Sequence, residues 1–210
     1  MKPNRTLCLL SLIAIFIVSG CTTGGRPADK ISFYILEYPA PKLSPGEPIA
    51  ASVMVKRFSV APLYNTTRMI FSDGRFKRNE YVFHRWRVNP GDMASGFLRR
   101  DMMESGLFRA IMSSESGAAA DFILEGSVDE FLEIDEQETW KASLGLTITL
   151  SEANEKDVTK RIALQKSYKI IHGLADKKAQ AFVAAMSEAM GRISAEIITD
   201  IRDAAPKRIK

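Results

Sequence analysis

Cysteine and histidine are nearly missing from this chain: Cys8, Cys21, His84 and His172 are all it has in 210 residues. Four such side chains, none in a pattern like His-Glu-x-x-His, exclude the usual zinc sites. Disulfides are excluded in the same way, because Cys8 falls in an N-terminal segment that reads as removable, leaving Cys21 with no partner within one chain. There is no Gly-x-Ser-x-Gly elbow, no Walker loop and no dinucleotide fingerprint. Each histidine falls on a predicted strand or at its end, where a hydrogen-bonded sheet position is a simpler reading than a catalytic base. Basic residues exceed acidic ones by only 29 to 25, and two of the 29, Lys2 and Arg5, lie in the first 20 residues. The remaining 27 form no basic block of the kind that binds nucleic acid. These residue types do not describe an enzyme, so no catalytic residue, metal site or cofactor is assigned.

What the chain does have begins at its N-terminus. Lys2 and Arg5 precede an apolar run from Leu7 to Val18, which ends in Val18-Ser19-Gly20-Cys21. Basic, apolar and then small residues make a secretory signal peptide, too short to remain as a membrane span. The ending resembles the bacterial lipobox, which implies cleavage between Gly20 and Cys21 and lipidation of the Cys21 thiol and amine. Each buried methylene contributes about 0.8 kcal/mol, so several acyl chains on one residue make attachment effectively permanent. Residue 22 is Thr and not Asp, which by the same resemblance implies release to the outer membrane of a Gram-negative envelope. The covalent lipid on Cys21 is the only prosthetic group expected.

Residues 1–20 are therefore read as signal, 21–30 as lipidated cysteine and flexible Gly-containing tether, 31–203 as one domain, and 204–210 as a basic tail. Alternation predicts a strand over Ile31–Tyr38 and another over Ala51–Val60, then a hairpin of Arg68–Phe71 with Glu80–Trp86 across Ser72-Asp73-Gly74. Asn89-Pro90 opens a helix that Gly106 closes, and Leu107–Met112 is a short strand. A meander follows: Ala120–Ile134 through Phe122, Leu124, Val128, Leu132 and Ile134, then Trp140–Leu150 with apolar residues at every second position, then Ile162–Ile170. A long helix, capped by Asp176, carries Phe182, Met186, Met190, Ile193, Ile197 and Ile201 as one stripe. The order predicts an α+β domain: a mixed, largely antiparallel sheet of about six or seven strands with two helices on one face.

The carboxylates at Asp129, Glu130, Glu133, Asp135, Glu136 and Glu138 read as a solvated strand end and hairpin. Aromatic and thioether side chains fill cores by default and otherwise make adaptable apolar surfaces. On that second reading Tyr34, Trp86, Met186 and Met190 are the candidate partner or lipid surface.

Several segments in order resemble the ABC-type transport auxiliary lipoprotein family, which includes PqiC-type lipoproteins. They are Phe33-Tyr34-Ile35-Leu36, Val55…Val60-Ala61-Pro62, Trp86…Pro90, Ser105-Gly106-Leu107-Phe108, Ala120–Gly126 with Phe131, and Ala184–Ala189. The resemblance implies an accessory to an MCE-type (mammalian-cell-entry) lipid transport system. Its partners would be an MCE-domain protein and the permease and ATPase of an ABC system, with phospholipid or another apolar substrate as cargo. A homo-oligomer is compatible with this reading. Two other functions compete: an assembly or docking factor for a different envelope complex, and a periplasmic hydrolase whose site is not recognised.

Overall fold

The longest alternating run in the sequence becomes the middle of the sheet. The computed structural model describes residues 30–43, 46–136 and 138–205, so the lipobox, the tether through residue 29 and the tail from 206 onward lie outside the described residues. The order is β1 (Ser32–Tyr34), β2 (Ile49–Val55), β3 (Ser59–Val60), β4 (Arg68–Ser72), β5 (Asn79–Trp86), α1 (Pro90–Glu104), β6 (Phe108–Ser113), β7 (Phe122–Glu136), β8 (Thr139–Glu152), β9 (Ile162–Gly173) and α2 (Ala179–Ala204). A 3-10 turn at Pro62–Tyr64 joins β3 to β4. These nine described strands form one mixed sheet, and with the two helices the fold is α+β.

β7 is the spine. One of its edges runs antiparallel to β8 along its whole length, and β9 pairs antiparallel with β8. The other edge is shared in turn by β2, β3 and β4, each parallel to β7 and matched over two or three residues. The long ladders are thus antiparallel and the short ones mostly parallel. β1 extends the sheet beyond β5 and forms its outermost strand there.

The helices cover the face that the apolar rows define. Ala142, Leu144, Leu146, Ile148 and Leu150 of β8 are fully buried, opposite Phe182, Met186, Met190, Ile193 and Ile197 of α2. Burying one such aliphatic side chain contributes about 1.5–3 kcal/mol. Trp140, predicted to continue the row, is only half-buried at the start of β8, where Lys177 sits over its ring. α1 starts as its sequence demands: the Asn89 side chain accepts from the Gly91 N–H at 2.9 Å, Pro90 takes the first turn, and Gly106 at φ +64° follows the last. α2 does not start at the predicted cap, because the Asp176 carboxylate is held by Lys178 and the helix begins at Ala179.

Two departures from simple alternation shape the rest. β7 carries a bulge at Asp129: Val128 faces Leu146 and Glu130 faces Gly145, so one residue is extra. The Asp129 carboxylate secures the irregularity by accepting from Ser127 and Thr147 hydroxyls, each at 2.6 Å. Past the bulge the phase inverts, and Phe131 rather than Leu132 reaches the helix side. The predicted continuous row through Leu132 and Ile134 is therefore broken. The second departure is at β1, which ends at Tyr34 and not Tyr38. The chain then leaves the sheet for the helices: Leu36 is buried, the Glu37 N–H donates to Ser187 Oγ at 3.0 Å, and the Tyr38 hydroxyl donates to Asp101 at 2.8 Å.

Candidate docking surface

Burial decides the four residues that the sequence offers as a surface. Trp86 is 1% exposed and Met186 and Met190 are at 0%, so all three are core and cannot present themselves to a partner. The reason is positional. Trp86 ends β5 on the helix side, its ring 5.1 Å from Phe131 and 5.5 Å from Phe182, and the two methionines lie on the buried stripe of α2. Tyr34 is half-buried, and its hydroxyl shares a 3.2 Å hydrogen bond with His84 Nδ1.

The polar groups are built into structure in the same way. Most of the acidic run lies within β7 and not in a solvated hairpin, and several of its members are paired. Lys169 holds Glu130, Lys177 holds Asp135, and Lys141 meets Glu136 at 2.5 Å. Glu133 is 1% exposed and takes the Tyr81 hydroxyl on both oxygens at 3.0 Å. Burial pushes the Glu133 carboxyl above the usual carboxylate range, the Tyr81 bond opposes that, and the nearby Asp135 adds to it. Burial and the facing Glu133 charge push the Tyr81 hydroxyl upward too. His172 Nε2 lies 3.0 Å from Glu188, tying β9 to α2. Among the described residues no cluster of His, Cys, Asp or Glu could hold a metal ion.

One group of exposed apolar side chains lies at the outer edge of the sheet, while Phe76, Met103, Val158, Ile162 and Ile171 are exposed elsewhere. Ile31, Phe33 and Ile35 alternate along and beside β1, and Phe33 and Ile35 are about half exposed, at 52% and 49%. In the parallel β1–β5 register Phe33 faces Arg85, and Arg87 lies with its guanidinium 5.4 Å from the Phe33 ring. Phe83, two residues before Arg85, is 41% exposed. Next to this face runs a shallow, apolar groove of about 260 Å³ between Ile35, Val88 and the α1 residues Met93, Gly96 and Phe97, with Asp92 and Arg100 also lining it. Arg100 lies over the stacked rings of Tyr38 and Phe97 and pairs with the buried Asp101 at 2.7 Å.

A family model described as ABC-type transport auxiliary lipoprotein component matches residues 34–198. The chain belongs to this family. The match covers every element from the end of β1 to most of α2. No functionally curated protein matches the sequence. Among solved structures, a Xanthomonas campestris protein is 17% identical with a TM-score of 0.74, covering 85% of this chain and 100% of its own. A hypothetical protein from Chlamydia trachomatis is 11% identical with a TM-score of 0.51, covering 74% of this chain and 98% of its own. At such identities these likenesses establish the fold alone.

Within the transport auxiliary family match lie features that the sequence reading missed. The Tyr38–Phe97–Arg100–Asp101 cluster joins the segment after β1 to α1, and its only advance sign is an Asp in the middle of an apolar helix face. The edge of the sheet was equally hidden, because Ile31, Phe33 and Ile35 alternate like any half-buried strand. Their face becomes a surface only because β1 is the outermost strand. No described helix is long and apolar enough to cross a membrane.

Proposed function

We propose that this chain is a lipid-anchored auxiliary subunit of an MCE-type ABC transport system for phospholipid or another apolar substrate. It sits at the outer membrane facing the periplasm and meets an MCE-domain protein backed by a permease and an ATPase. The observation that carries this reading is the family match over 34–198. Upstream of it, Val18-Ser19-Gly20-Cys21 supplies the anchor and Thr22 the sorting signal. The work is done by a surface and not by catalysis: the histidines and buried carboxylates are engaged in structural bonds, and the exposed β1–β5 edge is apolar and cationic. The group that this reading requires is the lipid on Cys21.

Cys21→Ser removes the thiol that takes the diacylglyceryl group. The variant is expected to lose metabolic palmitate label and outer-membrane fractionation while keeping the fold of residues 31–203. An unlabelled wild-type protein, or a labelled Cys21→Ser variant, contradicts the anchor.

A further inference from the structure

The exposed edge of the sheet combines two chemistries that seldom share a free surface. Ile31, Phe33, Ile35 and Phe83 offer a contiguous apolar ridge, while Arg85 and Arg87 stand in and beside it. Neither arginine makes an ion pair among the described residues, and Arg85 Nε is buried with no partner. Of the nearby acids, Asp92 pairs with Arg57 and Glu80 with Arg68. Apolar side chains flanked by free guanidinium groups match the boundary of a bilayer, where rings and aliphatic groups enter the acyl region and guanidinium pairs with phosphate oxygens.

The position along the chain selects the same occupant. Ile31 comes ten residues after Cys21. That length spans at most about 36 Å when extended and about 17 Å as a flexible coil. The ridge thus opens the described part of the chain within ten residues of the anchor, and tethering raises its effective concentration at the bilayer enough for a weak surface to engage.

We propose that the outer face of β1 and β5 rests on an anionic phospholipid surface, with Phe33, Ile35 and Phe83 entering the headgroup boundary and Arg85 and Arg87 binding phosphate. The domain is then held in one orientation on its membrane, not left free on its tether. This rests on the proposed acylation of Cys21.

Once the signal is removed and Cys21 acylated, the mature chain has no free thiol, so an introduced cysteine can be labelled alone. The full lipidated protein, carrying Phe83→Cys or Val158→Cys with an environment-sensitive fluorophore, is reconstituted into phosphatidylcholine vesicles with and without phosphatidylglycerol. Val158, 69% exposed in the β8–β9 loop, is the control. The label at position 83 is expected to brighten and be quenched by spin-labelled lipid in anionic vesicles, while that at 158 stays as in water. Arg85→Gln with Arg87→Gln should lower the docking constant about thirtyfold in anionic vesicles. Equal signals at the two positions overturn the proposal. So does brightening at 83 that requires an added envelope protein, which would make the ridge a protein-docking site. Mass spectrometry of the peptide containing Cys21 reads the anchor separately. If that peptide carries no acyl chain, the anchor on which the docking rests is absent and the proposal is overturned at the anchor; an acylated peptide with equal signals at 83 and 158 overturns it at the surface.

Discussion

Glu133 is a carboxylate placed where a β-strand would ordinarily put an apolar side chain. After the Asp129 bulge it shares the helix-side phase of Phe131, and the Tyr81 hydroxyl donates to it. Because burial raises its folded pKa above the unfolded value of 4.5, the folded chain binds the proton more tightly. Stability from this group is therefore present at low pH and is lost as pH rises through the raised folded value. Glu133→Gln keeps an acceptor for Tyr81 and removes the titration. The variant should be more stable than wild type at pH 7.5, with the gain vanishing as the pH falls toward about 4. Urea denaturation at both pH values checks this; a constant difference contradicts it. Gly126 shows the opposite economy of space. An added Cβ would lie 2.6 Å from the ring of Phe58, which is buried at 2% exposure. Gly126→Ala should cost about 1–3 kcal/mol, and Phe58→Leu in the same chain should recover part of it. Strictly additive losses would show that the two do not meet. Neither residue's role was legible in sequence. Gly126 appeared there only as a gap in an apolar row, and Glu133 as one charge among several.

At the scale of elements, alternation was readable where strands are straight and misleading where they bend. β8 follows its pattern from Ala142 to Leu150 because both of its neighbours pair with it antiparallel over nearly its whole length. β7 does not, because a bulge that two hydroxyls stabilise shifts its phase, and no local propensity announces Asp129 as the extra residue. The sequence keeps β1's alternating pattern beyond its end, since Leu36 is buried and Tyr38 half-buried against helix residues instead of against a neighbouring strand. Trp86, Met186 and Met190 take the default core reading and not the surface one, Trp86 at the helix side of β5 and the methionines on the buried stripe of α2. The β8 register makes a direct prediction. Leu146→Gln places an amide without partners in the core and should cost about 3–5 kcal/mol, whereas Thr149→Gln on the other face should stay within about 0.5 kcal/mol. Denaturation midpoints that coincide would mean that the register is wrong.

For the whole molecule, the α+β class, the two helices and the family were legible in the sequence; the outer edge of the sheet was not, since it depends on which strand ends up last. The assembled picture is a sheet whose helix-covered face is sealed and whose β1–β5 edge is open, apolar and cationic. Such a body has the means to be positioned beside other components. The central claim is that it serves an ABC transport system as an auxiliary subunit. The most direct measurement is affinity capture of the full lipidated chain from chemically cross-linked envelopes, quantified by mass spectrometry against a Cys21→Ser control. The account predicts enrichment of an MCE-domain protein together with its permease or ATPase, lost when Cys21 is replaced. Reproducible enrichment of a different envelope machine, with no component of an ABC transporter, would contradict it.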